Sequence, residues 1–109
     1  MMNQQVKVIS ISGRFNANSS QNFRESITEV MESGMSIVLV DCHNVTFMDS
    51  SGLGTLVLTF KALQELGIKM VICSINEQVR MLFELTGMDS KFTIVPSQEA
   101  FENLLLSAK

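Results

Sequence analysis

Short runs of apolar residues predict the strands of this chain. Residues 6–11 read V-K-V-I-S-I, and their alternation of apolar with polar or small residues predicts a strand with one solvent-exposed face. Residues 37–42, I-V-L-V-D-C, and residues 68–73, I-K-M-V-I-C, are almost continuously apolar, which is typical of strands covered on both faces. A shorter run, F-T-I-V at 92–95, predicts one more strand, which Pro96 would end.

Apolar residues spaced three and four positions apart predict helices between and after these strands. These apolar stripes fall at residues 23–31, 53–63, 79–83 and 100–105. Polar side chains that can accept hydrogen bonds from free helical N–H groups precede the stripes: Ser19 or Ser20, Asp49 or Ser50, Asn76, and Ser97. Glycines that can end a helix follow three of the stripes: Gly34, Gly67 and Gly87.

The order of these elements indicates the fold class. Ser12 and Gly13 predict a turn or bulge, with a further short strand near Arg14 and Phe15. The resulting order β, β, α, β, α, β, α, β, α is typical of an α/β domain. We expect one domain over residues 1–109, with a mixed, mostly parallel sheet of four to five strands and about four helices. Right-handed crossovers would bring the loops after the strands to one edge, where open α/β folds usually place their sites.

Composition and charge exclude several classes of function. The formal net charge is -3, and only eight Lys and Arg residues are spread along the chain, so no nucleic-acid partner is predicted. The longest apolar runs, such as residues 37–40, are far shorter than the roughly 20 residues of a membrane span. The amino terminus shows no signal-peptide pattern, so we expect a cytoplasmic protein. Cys42 and Cys73 lie in apolar runs without a C-x-x-C pair, which favours reduced core residues.

The segment T-F-M-D-S-S-G-L-G-T-L, residues 46–56, lies between a buried strand and a helix at the predicted functional edge. Glycines at such a position can admit a phosphate, but a dinucleotide fingerprint beginning at Gly52 would need glycine where Val57 stands. A serine nucleophile would need flanking glycines and a base, and the only histidine is His43. We therefore predict no cofactor, no metal site and no catalytic residue.

The same segment also has a structural and a regulatory interpretation. Asp49 or Ser50 can cap the helix, while Gly52 and Gly54 allow close packing on the sheet. Each glycine inside a helix costs up to about 1 kcal/mol relative to alanine, so a small surface at this end must bring another benefit. A serine at a helix N-terminus is a favourable carrier of phosphate, because free N–H groups and the helix dipole stabilise the anion. Such a phosphate would change what can bind there.

The segment F-M-D-S-S-G-L-G resembles the phosphorylation motif of the anti-sigma factor antagonists, the bacterial members of the STAS domain family. The resemblance extends over the whole chain, including S-G-R-F-N in the early turn, the I-V-L-V-D strand and the G-I-K-M-V-I strand. It implies a STAS-like fold and a partner switch. An unphosphorylated antagonist binds a serine kinase/anti-sigma factor with a GHKL-type ATP site, phosphorylation releases it, and a PP2C-type phosphatase restores it.

The resemblance also implies roles for individual residues. The acceptor is the serine directly after the aspartate, Ser50, with Ser51 as a possible second acceptor. Asp49 would shape the acceptor site, and Ser51 and Gly52 the surrounding partner-binding surface. Asn16 stands where many relatives carry aspartate, which bears on the identity of the partner.

Three further residues are expected to reach the partner-binding surface. Met48 adjoins the acceptor, and Arg14 and Phe15 lie on the turn near the same edge. Met81, near the start of a helix, is a further candidate. The alternative function is a STAS interaction subunit of a transporter or other enzyme complex that is never phosphorylated.

Overall fold

Strands and helices alternate along the chain in a computed structural model that describes residues 5–107. Four strands are present in this range: β1 (Val6–Phe15), β2 (Ile37–Met48), β3 (Lys69–Cys73) and β4 (Thr93–Val95). Each strand is followed by a helix: α1 (Gln21–Met31), α2 (Ser50–Glu65), α3 (Glu77–Thr86) and α4 (Gln98–Ser107). A short 3-10 turn, Met88–Ser90, precedes β4. The predicted α/β class and the four helices are confirmed.

The four strands form one sheet in the order β1-β2-β3-β4, and every pairing is parallel. The sequence predicted two early strands, but they form the single strand β1. Its pairing with β2 continues to Phe15 through register shifts between Ser10 and Ser12 and between Gly13 and Arg14. Gly13 has a φ of 72°, which a glycine adopts readily at such a bulge. The sequence predicted a mixed, mostly parallel sheet of four to five strands. Within residues 5–107 the sheet has four strands, and all of them run parallel.

The sheet separates two apolar cores. The larger core lies beneath α1, α2 and α3 and includes Val38, Val40 and Leu56, none of which is exposed. The smaller core lies on the opposite face beneath α4, where Leu39 and Phe101 pack. Adjacent residues of β2 thus point into different cores, which explains why its sequence is almost continuously apolar.

The ends of the helices follow most of the predicted capping residues. Asn76 caps α3, since its Oδ1 accepts a hydrogen bond from Val79 N–H at 2.9 Å. The hydroxyl of Ser97 accepts from Ala100 N–H at 3.0 Å at the start of α4. Ser20 precedes α1 as predicted, but its side chain does not cap the helix. Its hydroxyl donates to the carbonyl oxygen of Ala17 and accepts no hydrogen bond from a helical N–H group. Within residues 5–107 no helix combines the length and apolar character needed to cross a membrane.

Candidate functional site

The segment with two serines and two glycines begins α2 at the carboxyl ends of β1 and β2. Only Asp49 separates Met48, the last residue of β2, from Ser50, the first residue of α2. Asp49 has an extended backbone, and its Oδ1 accepts a hydrogen bond from Gly52 N–H at 2.9 Å. Asp49 N–H in turn donates to the carbonyl oxygen of Phe15 at 3.4 Å. Asp49 is therefore the cap, and Ser50 occupies the first helical position.

Ser50 and Ser51 are both exposed in the first turn of α2. Among the residues that the structure describes, neither backbone N–H group donates a hydrogen bond to a protein acceptor. Their hydroxyl groups likewise have no hydrogen-bond partner in that part of the chain. These free N–H groups and the positive end of the helix dipole favour an anion at this position.

Gly52 and Gly54 differ in what surrounds them. Gly52 is buried, and a Cβ atom there would lie 2.2 Å from the carbonyl oxygen of Phe15 and 2.9 Å from its ring atom Cδ2. A Cβ atom at Gly54 would meet no described atom within 4 Å apart from its neighbours in the chain and the nearby backbone of α2. Gly52 thus lets α2 pack against the end of β1, whereas nothing in the fold requires glycine at position 54.

Met48 and Phe15 support the site from beneath and do not form its surface. The side chain of Met48 is 0% exposed and that of Phe15 is 1% exposed. Phe15 packs edge-to-face against Phe23, with ring centroids 5.5 Å apart, in the larger core. The expectation that these two side chains contact a partner directly is therefore corrected, because both point into the core. Gly52, which was also expected to shape the partner-binding surface, is buried as well and acts through its packing against Phe15.

Arg14 remains on the surface, as expected for a residue that could meet a partner. Its guanidinium carbon lies 5.2 Å from the centroid of the Phe47 ring, a cation–π contact. Phe47, 38% exposed, is paired with Arg14 in the β1–β2 register. The two side chains form an exposed aromatic and basic patch at the ends of these strands.

Gln78 is a supporting residue that the sequence did not reveal. Its Oε1 accepts a hydrogen bond from Met48 N–H at 2.9 Å, and its Nε2 donates to the Met48 carbonyl at 2.8 Å. Asn76, besides capping α3, donates through Nδ2 to the carbonyl of Val45 at 3.1 Å. The start of α3 therefore holds the end of β2 directly before Asp49 and the first turn of α2. A polar residue on an amphipathic helix gives no sequence signal for this contact.

A shallow surface groove borders Ser50 and Ser51. It is lined mainly by small and apolar residues of the α1, α2 and α3 regions: Ala17, Arg24, Ser50, Ser51, Leu53, Gly54, Thr55, Val57, Leu58, Thr86 and Met88. Arg24 is the only charged residue in this lining. Met81 is 51% exposed on α3 but does not line the groove.

The two cysteines are buried on opposite faces of the sheet. Cys42 lies in the larger core and Cys73 in the smaller one, so the sheet separates the two free thiols. Burial raises the pKa of Cys42 to about 12 and also raises that of Cys73. Within residues 5–107, no group of three His, Cys, Asp or Glu side chains could hold a metal ion.

Comparison with known proteins decides the family. The family model of the STAS domain matches residues 2–101. The chain belongs to the STAS domain family. An anti-sigma-B factor antagonist from Staphylococcus aureus is 30% identical over 80 residues, which cover 73% of this chain and 74% of that protein. The resemblance to anti-sigma factor antagonists inferred from the acceptor segment is thereby confirmed.

Solved STAS structures share the fold. SpoIIAA, an anti-sigma factor antagonist, in its unphosphorylated form is 19% identical, with a TM-score of 0.75 over 95% of this chain and 91% of that chain. The phosphorylated form of this Bacillus cell fate determinant, also 19% identical, has a TM-score of 0.71 over 95% of each chain. The STAS domain of a SulP transporter from Vibrio cholerae is 21% identical, with a TM-score of 0.78 over 100% of this chain and 89% of that chain. STAS domains with different roles thus share this architecture.

Proposed function

We propose that this STAS domain is an anti-sigma factor antagonist-like regulator that is switched by phosphorylation of Ser50. The unphosphorylated form would bind a serine kinase/anti-sigma factor, and phosphorylation would release it. The observation that carries the proposal is the position of Ser50, exposed at the first residue of α2 beside two N–H groups without protein acceptors. Relatives named as anti-sigma factor antagonists support the class of partner.

The local geometry favours a switch of surface charge over a switch of fold. A phosphate on Ser50 adds a charge of about −1.5 to −2 at neutral pH. The helix N-terminus stabilises this charge, so α2 need not unfold to accept it. Asp49 already carries a carboxylate next to the acceptor, and its Oδ1 is engaged by Gly52 N–H. A partner that fits the groove around unmodified Ser50 would meet new bulk and new negative charge after phosphorylation.

Two enzymes would complete the cycle in the cytoplasm. The kinase, with a GHKL-type ATP site, would transfer the γ-phosphoryl group of ATP to the Ser50 hydroxyl and release ADP and a proton. A PP2C-type phosphatase would use water to hydrolyse the phosphoserine, giving serine and inorganic phosphate. In this proposal the STAS domain is a substrate and binding partner and performs no catalysis itself.

Gly54 supports a partner that approaches α2 closely. Nothing within the fold needs glycine at this position, although alanine would favour the helix by up to about 1 kcal/mol. Gly54 lines the groove one helical turn after Ser50, between that residue and the exposed side chain of Leu58. The missing side chain therefore keeps the middle of the groove open. A partner side chain could pack there against the backbone of α2.

Intact-mass measurement tests the proposed acceptor. The purified chain is incubated with ATP and with serine kinase/anti-sigma factors from the same bacterium. We expect a gain of about 80 Da, the mass of one phosphate group, in wild type and in Ser51→Ala but not in Ser50→Ala. Ser90→Ala removes an exposed serine distant from the acceptor segment in sequence and serves as the matched control. A gain that persists in Ser50→Ala and disappears in Ser51→Ala would move the acceptor to Ser51.

The alternative is a STAS domain that binds a transporter or other enzyme complex without being phosphorylated. Its support is the shared architecture with the transporter STAS domain, whose match covers the whole of this chain. The D-S-S-G segment favours the phosphorylated class. If none of the kinases adds phosphate to wild type, the switch is excluded and this alternative becomes the better proposal.

A further inference from the structure

Arg24 is a basic residue beside the acceptor serines that the proposed switch has not yet used. It is exposed on α1 and lines the groove together with Ser50 and Ser51. It also lines a second depression, between α1 and α2, together with Thr55 and Leu58. Arg24 therefore borders both of the depressions that α1 and α2 share.

The guanidinium of Arg24 has no anionic partner within residues 5–107. Its only side-chain hydrogen bond there is from Nη2 to the neutral amide oxygen Oε1 of Gln21, at 3.3 Å. Arg14, in contrast, stacks over the ring of Phe47. Arg24 is thus a cation that can change partner without breaking an existing ion pair.

The charge around the groove favours an ion pair with a new anion. Among the described residues, no carboxylate lines the groove. The nearest acidic residue in sequence, Asp49, directs Oδ1 to Gly52 N–H. An anion attached to Ser50 would therefore lie in the same groove as one guanidinium, beside two N–H groups at the start of α2 that have no protein acceptor within residues 5–107.

We propose that Arg24 binds the phosphate of phosphorylated Ser50 across the groove and so joins α1 to the start of α2. This inference rests on the proposed function, because it concerns the phosphorylated state. A guanidinium suits the role since its planar fork can donate two parallel hydrogen bonds to phosphate oxygens. The ion pair would close the end of the groove at Ser50. Phosphorylation would then release a partner by covering its binding surface as well as by repelling it.

Phosphoserine placed at position 50 during translation tests this contact without any kinase. The second pKa of the phosphate, near 6 for a free phosphoserine, is followed by 31P NMR titration. Arg24→Gln keeps the length of the side chain and removes its charge. We expect this variant to raise the phosphate pKa by roughly 0.2 to 0.7, the range that corresponds to an exposed ion pair. Arg24→Lys, which retains the charge without the fork, should restore part of the difference.

Arg80→Gln is the matched control. Arg80 is exposed on α3, its ion-pair partner is Glu77 at 3.9 Å, and it does not line the groove. An unchanged phosphate pKa in Arg24→Gln, or an equal change in Arg80→Gln, would overturn the proposal. A change found with phosphoserine at position 51 and absent at position 50 would also overturn the assignment to Ser50. The titration uses no kinase, so its result does not depend on whether a kinase phosphorylates Ser50 in the mass experiment. The two proposals can therefore fail separately.

Discussion

At Gly52 a Cβ atom would lie 2.2 Å from the carbonyl oxygen of Phe15, whereas at Gly54 it would meet, among the described residues, no atom within 4 Å outside the adjacent backbone of α2. The first distance is impossible without movement of backbone, so alanine at position 52 must push α2 away from the end of β1. The second position is open, and alanine there only restricts the unfolded chain and favours the helix. The two glycines thus serve different purposes.

Paired substitutions test this difference. We expect Gly52→Ala to lower the free energy of unfolding by roughly 1 to 3 kcal/mol or more, because overpacking against backbone cannot relax freely. Gly54→Ala should raise it by up to about 1 kcal/mol. Urea denaturation followed by circular dichroism measures both. In a binding assay with the kinase, Gly54→Ala should weaken affinity despite its greater stability. Equal stability of the two variants would contradict the structural distinction.

The sequence predicted which residues begin α2, but it did not predict what each of their side chains contacts. Asp49, Ser50 and Gly52 were identified from a local pattern that left the cap open between Asp49 and Ser50, and the structure assigns it to Asp49. The reason for Gly52 lies at Phe15, far away in sequence. Met48 was expected on the surface because it adjoins Ser50 in sequence, and Phe15 because the early turn was placed at the same edge of the sheet. Side-chain direction at the end of a bulged strand depends on register, which the sequence does not display.

Between elements, the decisive contact joins the start of α3 to the end of β2. Gln78 pairs with both backbone groups of Met48, and Asn76 reaches the carbonyl of Val45 while it caps its own helix. These hydrogen bonds fix the residue that immediately precedes the Asp49 cap. The position of Ser50 therefore depends on a helix that begins well after it in the chain.

Replacement of Gln78 tests this dependence. We expect Gln78→Ala to lower the free energy of unfolding by about 1 to 3 kcal/mol, because the Met48 N–H and carbonyl groups would lose their partners. Gln64→Ala is the control, since Gln64 is exposed on α2 and makes no side-chain hydrogen bond within the described residues. Hydrogen exchange should also become faster at Met48 N–H. An effect no greater than that of Gln64→Ala would show that the contact is dispensable.

Most strands and helices could be predicted because apolar residues recur in them at the spacing typical of each kind of element. The buried strands, the amphipathic helices and the caps Asn76 and Ser97 follow from residues close together in sequence. The early turn at Ser12 and Gly13 was ambiguous, since a glycine between two short apolar runs fits a turn or a bulge equally well. Pairing with β2 decides between them, and it continues through Phe15. Pairing is a contact between distant residues, so only the structure shows it.

On the scale of the whole molecule, the sheet keeps the two thiols apart in separate cores. Burial raises the pKa of the Cys42 thiol to about 12, with smaller contributions from the charges of Cys73 and Asp41. An exposed thiol in the unfolded chain has a pKa near 8.5. Below that pH both states hold the proton and the full stability is present. As the pH rises toward 12, the unfolded chain loses the proton first, so the stability falls.

Alkaline unfolding experiments test the burial of Cys42. Between pH 8.5 and pH 10.5 we expect the wild type to lose about 2 to 3 kcal/mol of unfolding free energy through this thiol. Cys42→Ala should show a smaller loss over the same interval, and urea denaturation at each pH measures the difference. The same dependence on pH in both proteins would mean that Cys42 is accessible to water in the folded chain.

The order of the strands in the sheet matches their order in the chain, and this has a consequence for synthesis on the ribosome. Each strand pairs with the one before it, so the sheet can grow from the amino terminus as the chain emerges. Ser50 emerges early, yet Gln78, which secures Met48 from 30 residues further along, emerges much later. A nascent chain therefore displays the serine on an unsupported turn. Only a finished domain holds Ser50 in the conformation described above, so in the proposed switch folding must be complete before phosphorylation.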